Sequence, residues 1–302
     1  MPKIVITQNL ELFPDQAERL KSLGDTTFYN DLAKSPDEWL WRCHGADIIC
    51  AGGFGLKQKL YEIKNAFLSL PFVNVSWIDK EKIKENNVVV SYCPGCNKDA
   101  VSEWIIAMML NLFRQLPKFI NVKDLPKGKI PDFTLGLTGK KVAILGKGNI
   151  GSRAGKICEA FDMKVVYFKR GNDLFKCVKD ANVVINCLSS NSSTWGLLGK
   201  KFFNSLKRGC YFISPSDEKI YDVNALLDAL DNGTLAGIAD DAGGARAGDC
   251  YDSFYVKLSN NPKVLVTPHI AYQTDVTAKV ANDMMISNIE AWLKGEPINL
   301  LK

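Results

Sequence analysis

The residues best suited to hold a phosphorylated ligand lie in Lys140-Lys141-Val142-Ala143-Ile144-Leu145-Gly146-Lys147-Gly148-Asn149-Ile150-Gly151. Val142 to Leu145 reads as a buried strand. Beyond the glycines, Ile150, Ala154, Ile157, Cys158 and Phe161 recur at helical spacing. A G-x-G-x-x-G between a strand and a helix sets backbone N–H groups at a helix N-terminus, where a pyrophosphate is held by donors and dipole together. Gly146 permits the tight turn, Gly148 lets phosphates approach the backbone, and Gly151 lets helix and strand pack closely. Gly146, Gly148, Asn149, Ile150 and Gly151 are therefore candidate cofactor-binding residues. The competing reading is a plain tight strand–helix connection.

Cofactor choice turns on the tip of the next strand, Val165-Val166-Tyr167-Phe168. An acidic residue about 20 positions beyond the glycines normally holds the ribose 2′-OH. Lys169 and Arg170 stand there instead. Two cations favour a 2′-phosphate through charge-assisted hydrogen bonds, so NADP(H) is expected in preference to NAD(H), with NAD possible. The alternatives are solvated surface cations, or Asp173 swinging back to an unphosphorylated ribose. A second glycine-rich loop, Gly52-Gly53-Phe54-Gly55, follows the strand Asp47 to Ala51 and exposes backbone donors to a small ligand, unless it is an ordinary turn. Cys93-Pro94-Gly95-Cys96 spells C-x-x-C, but no second pair stands at metal spacing, and a loop role is expected.

The elements that must position these residues alternate between strand and helix. Short strands are expected at Lys3–Thr7, Asp47–Ala51, Phe72–Val75 and Val88–Ser91, then in a second series at Val142, Val165, Val183, Tyr211, Leu235 and Val264. Val101, Trp104, Ile105, Met108, Met109, Leu112 and Leu116 mark a long helix, with residues 117–139 as linker. Asp222 caps a helix that stops at Gly233, and Val276–Leu293 forms the last one. This alternation is that of an α/β protein with parallel sheets covered on both faces.

A chain of 302 residues accommodates two domains, and 46% hydrophobic with 24% charged residues is ordinary for a soluble protein. The net charge of +5 comes from dispersed lysines, which argues against a nucleic-acid partner. Neither a secretion signal nor a bilayer-length apolar run is present, so a cytoplasmic protein without a membrane partner is expected. The nine cysteines then read as small apolar residues of a reducing compartment.

The chain resembles the D-2-hydroxyacid dehydrogenase family of phosphoglycerate and glycerate dehydrogenases and hydroxypyruvate and glyoxylate reductases. The carriers are Ala100-Val101-Ser102-Glu103, the Gly146–Gly151 loop, Asp222-Val223-Asn224-Ala225-Leu226 through Asn232–Gly237, and Thr267-Pro268-His269-Ile270-Ala271. The resemblance implies two domains, each a doubly wound parallel sheet. A flavodoxin-like substrate domain would comprise residues 1–97 plus 277–302, and a Rossmann cofactor domain residues 98–276, with hinges near 93–99 and 271–281. It also implies a homodimer through the cofactor domains and a small-molecule substrate. Hydride transfer interconverts a 2-oxo acid and a D-2-hydroxy acid, with His269 as acid/base. By the same resemblance, Gly52, Gly53 and Phe54 offer N–H groups to the substrate carboxylate, and Asp241 contacts the nicotinamide carboxamide. Leu188 and Ser189 line the adenosine side, and Pro215 passes the nicotinamide ribose.

Two expected catalytic residues are replaced. The family arginine aligns with Asp217 in Ser214-Pro215-Ser216-Asp217-Glu218-Lys219, and the family glutamate falls near Arg246. An acid where a carboxylate clamp belongs repels a simple 2-oxo acid. Two readings follow. In one, the charges are swapped: Asp217 orients or charges His269, Arg246 meets an anionic or carbonyl group, and the substrate differs. In the other, the chemistry is lost and a dinucleotide-binding sensor or scaffold remains.

Overall fold

Short apolar runs, most of them followed by a helix, build two parallel sheets. The computed structural model describes residues 1–120, 134–241, 259, 261 and 263–301. They divide into two compact units, Met1–Asn97 with Gln273–Lys302, and Lys98–Tyr272.

In the first unit the strands are β1 (Lys3–Ile6), β2 (Asp25–Phe28), β3 (Ile48–Cys50), β4 (Phe67–Ser69) and β5 (Val89–Ser91), in the order β2-β1-β3-β4-β5. Every pairing is parallel. This is the flavodoxin-like winding, with its reversal between β1 and β3. One face is covered by the helix Asp275–Leu293: Met285, Ile286 and Ile289 are buried, and Trp292 stacks on Phe67 with ring centroids 4.5 Å apart. The strand expected at 72–75 lies instead at Phe67–Ser69, fully buried between β3 and β5. Pro71, with no N–H to offer, follows it and ends the ladder. Strand β2 escaped the sequence pattern because it is a half-exposed edge of Asp, Thr, Thr and Phe.

The second unit holds β6 (Lys141–Leu145), β7 (Lys164–Phe168), β8 (Val183–Asn186), β9 (Cys210–Ser214), β10 (Leu235–Asp241) and β11 (Val264–Thr267), in the order β11-β10-β9-β8-β6-β7. It is a doubly wound Rossmann sheet whose direction reverses between β6 and β8, the place where such sheets bind ligands. The usual dinucleotide order sets another strand outside the second. Here residues 169–182 contain only the helix Leu174–Val178, so β7 is the sheet edge. Pairing of Leu145 with Asn186, Ser214 with Asp240 and Asp241 with Thr267 brings the C-terminal ends of five strands to one edge.

The helix Lys98–Phe113 packs on the helix Asn149–Ala160 that follows the glycine loop. Ser102 Oγ donates to Ile150 O at 3.3 Å, and Arg153 Nε pairs with Asp99 Oδ1 at 2.7 Å. These contacts fix the start of the glycine-loop helix from behind. Among the described residues no helix is long and apolar enough to cross a membrane.

Candidate functional site

Each glycine of the loop answers a different steric demand. Gly146 has φ +98°, and a Cβ there would stand 2.7 Å from Cys187 O on the neighbouring strand end. A Cβ on Gly151 would meet Gly146 O at 2.1 Å. At Gly148 a Cβ would meet nothing within 4 Å. Gly148 is also the N-cap of Asn149–Ala160, and no side chain caps it. The first turn of that helix therefore presents open N–H groups toward unfilled space, which is how a helix N-terminus receives an anion.

A cavity of about 420 Å³ opens beside this turn, bounded by Gly146, Lys147, Ser152, Leu188 and the Phe168–Arg170 tip of β7. Lys169 and Arg170 are exposed and make no ion pair among the described residues, so their charge is available to a ligand. Asp173 is otherwise engaged. Its Oδ1 caps the helix Leu174–Val178, accepting from Phe175 N at 2.9 Å and Lys176 N at 3.1 Å. The swing toward a ribose allowed by the sequence would forfeit that cap, about 1 kcal/mol. Lys147 and Ser152 line the cavity without having been singled out from sequence, although both sit within or beside the motif. Lys147 Nζ rests 4.5 Å from the centroid of the Tyr167 ring. Ser189 lies outside the cavity lining, exposed, with its carbonyl accepting from Asn191 and Thr194. Pro215 sits in a loop tied to β8 by Ser216 Oγ, which donates to Asn186 O at 3.0 Å.

His269 lies two residues beyond β11 with φ +55°, a left-handed conformation uncommon outside glycine. Asp241, 2% exposed, holds this turn. Its Oδ1 accepts from Thr267 Oγ1 at 2.6 Å and Ile270 N at 2.9 Å, and its Oδ2 accepts from Ala271 N at 2.9 Å. The imidazole packs edge-on against Tyr272, and its Nδ1 is buried with no hydrogen-bond partner among the described residues.

The contact expected between Asp217 and His269 is not formed. Asp217 Oδ1 caps the short turn Glu218–Ile220 through Lys219 N at 2.9 Å, so its side chain is held by its own loop. Arg246, the expected counter-charge, lies outside the described residues. Next to Asp217 the sequence concealed a further acidic feature. Asp240 is fully buried and accepts from Tyr221 Oη at 2.6 Å. Burial pushes its carboxyl up to about 8, Asp241 and Glu218 add to the rise, and the Tyr221 hydroxyl opposes it. Glu218 Oε2 is itself buried without a partner among the described residues. Neither Asp217 nor Glu218 forms a salt bridge among the described residues.

In the Met1–Asn97 unit, Gly52 lies against the Gln8 side chain, Gly53 faces open space, and Phe54 is 37% exposed. The turn is set by Gly55, whose φ of +74° brings it against Trp39. The N–H groups of Gly52, Gly53 and Phe54 donate no hydrogen bond among the described residues. Cys93 and Cys96 are buried, and Cys93 Sγ points to the carbonyls of Leu70 and Ala281. No cluster of metal-binding side chains occurs among the described residues.

An open glycine-loop cradle at the switch point of a doubly wound sheet, with a histidine beyond the last strand, defines a dinucleotide-binding α/β chain. The family model for the D-isomer specific 2-hydroxyacid dehydrogenase NAD binding domain matches residues 106–271, more than half of the chain. The protein belongs to that family. It is 26% identical over 220 residues to D-lactate dehydrogenase of Staphylococcus epidermidis, a match spanning 65% of this chain and 66% of that protein, just under two thirds of its length. It is 24% identical to hydroxypyruvate reductase of Blautia hydrogenotrophica over an aligned length of 328, covering 99% of each. Its fold matches an acyclic imino acid reductase in complex with NADPH and D-Arg (TM-score 0.83, 21% identity, 99% and 100% covered). It also matches a D-lactate dehydrogenase from Treponema pallidum (TM-score 0.81, 20% identity, 100% of each). The unfilled cradle at Gly148, the uncapped helix start and the unpaired cations fit a nicotinamide dinucleotide.

Proposed function

We propose that the protein is an NADP(H)-linked oxidoreductase of its family that reduces a carbonyl or closely related group of a small molecule, with His269 as proton donor. Lys98–Tyr272 would be the cofactor domain, and Met1–Asn97 with Gln273–Lys302 the substrate domain. The observation that carries the reading is that one sheet edge bears both an open phosphate cradle, flanked by unpaired Lys169 and Arg170, and a histidine held in a fixed turn. The bound cofactor would supply hydride. The N–H groups of Gly148, Asn149, Ile150 and Gly151 would hold its pyrophosphate, Lys169 and Arg170 its 2′-phosphate, and Leu188, Ser189 and Pro215 would flank its adenosine and ribose. His269 gives a proton to the substrate oxygen as charge develops there.

Asp217 and Glu218 stand where a carboxylate clamp is expected, which favours a substrate presenting a neutral or cationic group at that point. The N–H groups of Gly52, Gly53 and Phe54 would take an anionic group. The proposal includes a homodimer through the cofactor domain, drawn from the family, and the cytoplasmic location expected above. The first is checked by sedimentation and the second by localisation of a tagged chain.

A second reading, a catalytically inactive dinucleotide-binding sensor or scaffold, is favoured by the acid at Asp217 and by the absent contact between Asp217 and His269. Titration of the purified protein with NADPH and with NADH, followed by nicotinamide fluorescence, separates the possibilities. Tight NADPH and weak NADH binding, with turnover on a carbonyl panel, is the expected result. Tight binding without turnover selects the sensor. Binding of neither removes both readings.

A further inference from the structure

We propose that Asp241 is a positioning residue for His269. Its carboxylate clamps the Thr267–Ala271 turn in the backbone form that sets the imidazole at the sheet edge. For its activity measurements the inference rests on the reading of His269 as proton donor; its spectroscopic measurement is independent of that reading.

Asp241 closes β10, and its register partner Thr267 closes β11. The three donors to its carboxylate come from both sides of His269: Thr267 Oγ1 before it, and the N–H groups of Ile270 and Ala271 after it. Inside that clamp His269 takes φ +55°, and its own N–H donates to Thr267 O at 3.0 Å. A left-handed residue other than glycine persists only where its surroundings over-determine it. Here the Asp241 carboxylate supplies three of the hydrogen bonds that do so. The imidazole has no alternative anchor among the described residues, because its Nδ1 is buried without a partner and its only recorded ring contact is the edge of Tyr272. The orientation of the ring is therefore inherited from the turn, and the turn from Asp241.

The chain contains two histidines, His44 and His269, and they fall in different units. The ring signals of the full-length protein thus comprise one probe and one internal control. Asp241→Asn preserves volume but turns one oxygen into an N–H group facing a donor. The His269 Cε1–H signal is expected to shift or split, with the His44 signal unchanged. Affinity for 2′,5′-ADP, which the cradle alone would hold, should be unchanged. On any substrate turned over, kcat should fall roughly 10–100-fold with little change in KM, the scale set by slight misplacement of a reacting group. Thr267→Val removes one of the three donors and leaves the acid in place. It should move the same signals in the same direction by less, and it carries the test if the Asn variant does not fold. An unmoved His269 signal in both variants would overturn the proposal.

Discussion

Two turns on the same sheet edge treat their backbone N–H groups in opposite ways. At Gly148 the helix start is uncapped and faces open space. At His269 the N–H groups that follow are filled by Asp241, and the residue between is held in a strained form. The first turn is shaped to receive a ligand and the second to hold a side chain still. An acid beside a strand end therefore says little about binding until its acceptors are traced. Asp173, Asp217 and Asp241 all accept from neighbouring backbone, whereas Lys169 and Arg170 make no ion pair among the described residues.

The largest test of this contrast is at the closed turn. His269→Gln should lower turnover by about two to four orders of magnitude and leave NADPH affinity unchanged. An unaltered rate would detach the closed turn from the chemistry. At the open turn, Lys169→Ala and Arg170→Ala should each weaken NADPH binding by about 10–100-fold, the worth of one or two charge-assisted hydrogen bonds, while NADH binding moves little. Equal losses for both cofactors would mean that the cations act as a diffuse field. Gly151→Ala places a Cβ 2.1 Å from Gly146 O, so the loop must shift. A loss of about 1–3 kcal/mol in urea unfolding is expected, with weaker binding of both cofactors alike.

The smallest effect belongs to Asp240, behind the closed turn. An ordinary carboxyl titrates near 3.8, and this one near 8, so folding strengthens its hold on the proton. The resulting stability is complete below pH 4 and is lost as pH rises toward 8. Asp240→Asn keeps an acceptor for the Tyr221 hydroxyl and carries no proton to lose. Its Tm should match that of the parent near pH 4 and exceed it above pH 8. A constant difference across that range would place the cost in packing.

The legible parts of the molecule were those written in short-range pattern. The strand–glycine–helix unit, the Asp222 cap and the long helix bearing Val101 and Trp104 follow from residue type and spacing alone. Strands β2 and β4 were harder. An edge strand has little apolar alternation to betray it, and Phe72-Val73 after Pro71 imitates a strand that in fact precedes the proline. In the site, the types and positions of His269 and Asp241 were visible, but the clamp between them joins two strands 26 positions apart. Asp173 and Asp222 illustrate the limit. Each is an aspartate just before a helix and each caps it, yet only Asp173 was also open to a ligand role on sequence alone. Tyr221 and Asp240 meet across the fold with no local signature at all.

The buried sulfur atoms give each unit its own clock. Cys43, Cys50, Cys93 and Cys96 belong to one unit, and Cys158, Cys177, Cys187 and Cys210 to the other. Burial pushes the thiols of Cys43, Cys50, Cys158 and Cys210 up to about 12, so in the native state they are both shielded and protonated, and alkylating reagents react with thiolates. Alkylation then proceeds only through opening events, at rates set by the local free energy of each unit. Peptide mapping after timed labelling would read the two rates separately in a single sample. A ligand held by the glycine-loop unit would slow Cys158 and Cys210 while Cys43 and Cys50 kept their pace.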